Sequence, residues 1–72
     1  MTITDYSAQN LKTLPKLEVG LEWLNCNNNQ LTELKDLPVG LKVLNCYNNL
    51  FPPEEKEKIK KYCKEKNIYL SI

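Results

Sequence analysis

Displaced by twenty residues, this chain overlays itself. Leu17-Glu18-Val19-Gly20-Leu21 returns as Leu37-Pro38-Val39-Gly40-Leu41, Leu24-Asn25-Cys26 as Leu44-Asn45-Cys46, and Asn28-Asn29 as Asn48-Asn49. Leu31 returns as Phe51. Backwards, Leu11, Leu14 and Leu17 match Leu31, Leu34 and Leu37, and Tyr6 falls where Cys26 and Cys46 stand. A unit this short cannot bury its own leucines. Repeats of such a length are stable only when stacked, each covering the apolar side of its neighbour.

The spacing inside a unit predicts its local structure. Leu24 and Cys26 alternate with Trp23, Asn25 and Asn27, the period of a strand. Strands that recur in register along one direction should pair in parallel. Gly20 and Gly40 stand just before two of them, where a permissive backbone is useful. Leu31, Leu34 and Leu37 bring the chain back on the opposite side and point apolar groups at the same core. Asn29 and Asn49 follow the strands at the turn, where backbone groups lose their partners. A carboxamide carries both donors and acceptors and can satisfy them. In the first unit Gln9 occupies this position, which weakens the expectation for that turn.

Read as L-x-x-L-x-C-x-x-N-x-L, the units are Leu21, Leu24, Cys26, Asn29, Leu31 and Leu41, Leu44, Cys46, Asn49, Phe51. This resembles the leucine-rich repeat family, with Cys in an inner slot usually held by Leu. The twenty-residue period with L-P-x-G-L at Leu37–Leu41 is similar to the short subclass of bacteria and large viruses. The resemblance covers residues 3–51. It implies an α/β fold: a short leucine-rich-repeat solenoid with parallel strands. It also implies protein binding rather than catalysis, in a small inhibitor or adaptor, virus- or phage-encoded.

After Phe51 the repeat stops. Pro52-Pro53, then Glu54-Glu55, then lysines to Lys66 predict a helix from about Pro53 to Lys66. Ile59, Tyr62 and Cys63 form its apolar face at i, i+3 and i+4. Asn67 should end it. Ile68, Leu70 and Ile72 alternate with Asn67, Tyr69 and Ser71, which predicts a final strand. A stack leaves its last apolar side open, and helix plus strand should cap it. The expected organisation is one domain over residues 1–72: a degenerate repeat at 1–20, two repeats at 21–51 and a C-terminal cap at 52–72. At 72 residues such a cap matters, because a core this small is close to the limit of independent stability.

Composition narrows the function classes. Ten lysines against nine acids leave a formal charge of +1, too little to point to a polyanion partner. Lys56, Lys58, Lys60, Lys61, Lys64 and Lys66 are interleaved with Glu54, Glu55, Glu57 and Glu65, the pattern of a solvated helix rather than a phosphate-binding patch. No nucleic acid and no membrane is expected as a partner, since no apolar stretch approaches the roughly 20 residues of a spanning helix. Cys26, Cys46 and Cys63 are an odd number without a secretion signal, so free thiols in a reducing, cytoplasmic setting are expected. No Cys-x-x-Cys spacing suggests a metal, and buried cysteine packs as a small hydrophobe. The chain has no His, no glycine-rich phosphate loop and no activated Ser. No catalytic residues, cofactor or metal are therefore expected.

The remaining signal is what the strands turn outward. Twenty-residue register stacks three columns: Ile3–Trp23–Val43, Asp5–Asn25–Asn45 and Ser7–Asn27–Tyr47. Aromatic side chains beside short amides have the composition of a protein-binding surface. The expected protein-binding residues are Ile3, Asp5, Trp23, Asn25, Asn27, Val43, Asn45 and Tyr47. The alternative is a self-associating structural protein, a homodimer through the edge of the first strand placed at Thr2–Ser7, or a minimal repeat scaffold without a dedicated ligand.

Overall fold

The computed structural model describes residues 2–72. Its elements are β1 (Ile3–Asp5), β2 (Trp23–Asn25), β3 (Val43–Asn45), α1 (Pro53–Lys66) and β4 (Tyr69–Ser71). The strands form one sheet in the order β1-β2-β3-β4, every pair parallel. The register is the twenty-residue offset read from the sequence: Ile3 opposite Trp23 and Trp23 opposite Val43, Thr4 opposite Leu24 and Leu24 opposite Leu44. The fold is therefore a small α/β arrangement of four parallel strands and one helix.

Each strand has only three residues, yet the ladder continues past its ends. The Cys26 N–H donates to the Asn45 carbonyl at 2.8 Å and the Asn28 N–H to the Tyr47 carbonyl at 3.0 Å. On the opposite side the Gln30 N–H reaches the Leu11 carbonyl, and the Leu50 N–H the Leu31 carbonyl. The core lies between these two sides. Leu21, Leu24, Cys26, Leu31, Leu41, Leu44, Cys46 and Phe51 are buried there with Ile59, Cys63 and Ile68 of the C-terminal part. Burial of each large apolar side chain contributes ~1.5–3 kcal/mol. In the repeats these side chains come from the inward parity of the strands or from the return segments.

The helix follows its sequence signals. Pro53 opens it, where a missing N–H costs nothing. Glu54 and Glu55 occupy the first turn, Lys64 and Lys66 the last. Asn67 closes it in the left-handed conformation at φ 57°, with its N–H bonded to the carbonyls of Cys63 and Lys64. The Ile68 N–H then donates to the Cys63 carbonyl, which turns the chain into β4 beside β3.

One expectation needs correction. Of the two glycines before the strands, only Gly20 uses the freedom of its residue type, at φ +88°. Gly40 does not lie in the positive-φ region, and a Cβ at either site would meet open space. Left-handed backbone also recurs after the strands, at the equivalent positions Ala8, Asn28 and Asn48.

Candidate functional site

Because strand side chains alternate, the parity that fills the core leaves a second set on the outer sheet surface. Pairing across the sheet aligns Ile3, Trp23, Val43 and Tyr69 in one column and Asp5, Asn25, Asn45 and Ser71 in the next. Ile3 is 59 % exposed and Tyr69 72 %, while Trp23 and Val43 between them are half-buried. Sequence reading reached three members of each column and missed Tyr69 and Ser71. The signal was present, since both fall on the outward parity of the Ile68-Leu70-Ile72 alternation. What it lacked was evidence that the last strand pairs with β3.

The polar column has a graded set of commitments. The Asp5 carboxylate accepts the Ser7 backbone N–H at 2.9 Å. Hydrogen bonding from Ser7, side chain first and backbone second, holds the Asp5 carboxyl below the usual carboxylate range. Asn25 Oδ1 accepts the Asn27 N–H at 3.0 Å in the equivalent way. Among the described residues no hydrogen bond occupies the Nδ2 group of Asn25 or the carboxamide of Asn45. These groups are half-exposed and free to meet a partner.

The third column does not hold as expected. Asn27 is only 5 % exposed. Its Oδ1 accepts the Tyr47 N–H at 2.9 Å, and its backbone carbonyl accepts the Ala8 N–H and Asn29 Nδ2. The carboxamide has turned along the ladder to satisfy the next unit, so Asn27 is removed from the candidate contact surface. Tyr47 remains exposed, and Ser7 is half-buried. Above the aromatic column Glu22 and Lys42 form an ion pair at 3.0 Å. The Lys42 ammonium, through its hydrogen bond and its charge, lowers the pKa of Glu22. The pair neutralises that border, and Asp5 is left as the one charged side chain within the columns.

Elsewhere the chemistry is quiet. The thiols of Cys26, Cys46 and Cys63 are free and buried. Burial pushes the thiols of Cys26 and Cys46 up to about 12 and raises that of Cys63 as well. Among the described residues no group of three or more His, Cys, Asp or Glu is placed to hold a metal ion. No described helix is long and apolar enough to cross a membrane. On the side opposite the sheet, Leu34, Leu37, Ile59 and Tyr62 line an open groove of about 290 Å³ with Glu55 and Lys58 at its rim. Glu55 is occupied there by the Leu34 N–H at 3.2 Å.

Neither the family models, nor the curated proteins, nor the solved structures contain a match to this chain. The assignment of function accordingly rests on the geometry of the sheet surface.

Proposed function

We propose that this chain is a short leucine-rich-repeat solenoid that acts as a non-catalytic protein-binding module through its outer sheet surface. The observation that carries the reading is the column Ile3–Trp23–Val43–Tyr69. Four large apolar side chains stand in line on a surface that contributes nothing to the chain's own core. Beside them lie the Nδ2 group of Asn25, the amide of Asn45 and the carboxylate of Asp5. A central aromatic flanked by apolar and hydrogen-bonding neighbours is the usual make-up of a binding hot spot. The repeat reading is supported by hydrogen bonds that recur between units at twenty-residue spacing.

In this reading Trp23 is the anchor, Tyr69 and Ile3 bound the footprint, and Asn25 and Asn45 supply orientation. The test is capture of partners from host lysate on immobilised protein, followed by titration of any captured protein after purification. Trp23→Ala should fold normally and weaken binding at least about 30-fold, equivalent to roughly 2 kcal/mol. Leu24→Ala, of inward parity, should damage folding first. Unchanged affinity in a folded Trp23→Ala protein would remove the sheet surface from consideration.

A further inference from the structure

The direction of the backbone groups in β1 carries an inference about self-association that is independent of the sheet surface. In β2, β3 and β4 the residues in register with Ile3 and Asp5 point their backbone groups at the preceding strand. The N–H groups of Trp23, Val43 and Tyr69 donate to the carbonyls of Thr2, Glu22 and Lys42 at 3.1, 3.1 and 2.8 Å. The carbonyls of Asn25, Asn45 and Ser71 accept from Tyr6, Cys26 and Cys46 on that same side. By register, Ile3 and Asp5 present both N–H and C=O to the outer edge of β1, where no described strand lies. The core is also less complete at this end. Tyr6 and Leu11 are half-buried, whereas their counterparts Cys26 and Leu31 are fully buried.

We propose that two copies of the chain pair antiparallel through β1, about a two-fold axis at Thr4. Three registers bring outward groups together. Opposing Asp5 to Asp5 of the second copy would place carboxylates side by side, which is unfavourable. Opposing Ile3 to Ile3 would bring a single pair of strand residues into hydrogen-bonded register. Opposing Ile3 to Asp5 of the second copy forms two such pairs, hence four backbone hydrogen bonds, and keeps the carboxylates apart. The same axis brings Tyr6 and Leu11 of both copies to the shared end of the core. Head-to-tail stacking on β4 is the rival. It would set these apolar groups beside the far side of α1, where Lys60, Lys61 and Lys64 are exposed. The two-fold pairing leaves the outer sheet surface open, so its success or failure is separable from that of the binding reading.

Light scattering during size exclusion across a hundredfold concentration range tests the proposal on the 72-residue chain. The expected result is twice the 8.4 kDa chain mass at high concentration, dissociating on dilution. Ile3→Pro removes an N–H that has no partner among the described residues, and proline is tolerated on an edge strand. It should raise the dissociation constant at least tenfold without lowering the melting temperature of the dilute protein. Thr4→Cys should give a disulfide between the substituted positions of the two copies on addition of a disulfide oxidant, identified by peptide mass. Directly opposed non-hydrogen-bonded residues lie about 4.5 Å apart between Cα atoms, within disulfide range. A monomer throughout, growth beyond a dimer, or absence of the Thr4→Cys cross-link in a dimer would each overturn it. The cross-link remains decisive if Ile3→Pro fails to fold.

Discussion

The Asn29 carboxamide donates through Nδ2 to the Tyr6 carbonyl at 2.9 Å, a residue 23 positions earlier in the chain. The same nitrogen serves the Cys26 and Asn27 carbonyls of its own turn, while Oδ1 accepts the N–H groups of Gln9 and Leu11. One side chain thus holds two consecutive turns. Asn49 repeats the arrangement, binding the Cys26, Cys46 and Tyr47 carbonyls and the Leu31 N–H. The turn of the first unit is fixed by Asn29 from the following unit, which is why Gln9 is sufficient at its position.

Asn29→Ala is predicted to be among the most damaging single substitutions. It leaves the Tyr6 carbonyl and the Gln9 and Leu11 N–H groups without a partner, while the Cys26 and Asn27 carbonyls keep their bonds from Asn49 Nδ2 and the Ala8 N–H. Each unsatisfied buried group costs about 1–3 kcal/mol. Some of them will recover water, so the expected loss is more than about 3 kcal/mol, a large share of a small domain's stability. Asn49→Ala should cost less, since Asn49 is half-buried and water can replace it. Urea melts of the two variants check the order, and an Asn49→Ala protein less stable than Asn29→Ala would contradict it.

Ala8→Asn is predicted to stabilise the chain. Ala8 sits at φ 54°, equivalent to Asn28 at 59° and Asn48 at 56°. The left-handed region costs a residue with a Cβ about 1–2 kcal/mol, and Asn is among the few that accept it. Asn48 Nδ2 also donates to Asn28 Oδ1 at 2.8 Å, a contact that an Asn in the first unit could extend. That pair is exposed, so most of the gain should come from the backbone, for a total of about 0.5–1 kcal/mol. Ala8→Val should move the midpoint the other way. A lower melting point for Ala8→Asn than for the parent protein would count against this account of the turn.

These two positions show where sequence reading succeeds and where it stops. The helix limits, the parallel register and the inward leucines were legible because periodicity and Pro/Asn punctuation encode them locally. The turn-holding role of Asn29 was legible in kind, because a polar residue at a strand end must satisfy backbone groups. Its reach into the preceding unit was not, since that depends on stacking. Asn27 failed for a related reason. Period two places it outward, but the strand ends at Asn25, and beyond that point alternation no longer sets direction. Tyr69 was missed because its column exists only once β4 pairs with β3.

The thiols predict a specific dependence on pH. Burial raises Cys26 and Cys46 from 9.0 to about 12. Between those values the unfolded chain releases thiol protons that the folded chain retains. The unfolded state then binds fewer protons, so stability falls as pH rises. The thiol contribution should be fully present below about pH 9 and be lost progressively toward 12. A Cys26→Ala, Cys46→Ala double variant should be less stable near neutral pH, through lost packing, but should lose less on moving into the alkaline range. Native thiols should also react slowly with a thiol reagent, and all of them should react after denaturation. Rapid native labelling of Cys26, Cys46 and Cys63 would show that the core opens more readily than its packing implies.

The strongest test of the repeat reading is to change the number of units. The junctions are interchangeable in their bonding. Trp23 to Thr2 and Val43 to Glu22 are the same backbone bond one unit apart, as are Gln30 to Leu11 and Leu50 to Leu31. Asn29 and Asn49 each need only the turn that precedes them. A second copy of residues 21–40 inserted after Gly40 should therefore fold, giving a sheet of five parallel strands. It adds a Leu21, Leu24, Cys26 and Leu31 set, each fully buried in the parent. At ~1.5–3 kcal/mol for each leucine, set against the entropy of ordering twenty more residues, a modest net gain is expected. Both the urea midpoint and the denaturant slope should rise, the slope because more surface is exposed on unfolding. Removing residues 21–40 instead should leave a chain too small to hold a core and hence unfolded. If the lengthened chain melts in two separate steps, or loses the parallel register by hydrogen exchange, the units are not equivalent. The twenty-residue pattern would then be a property of the sequence without being the rule of assembly.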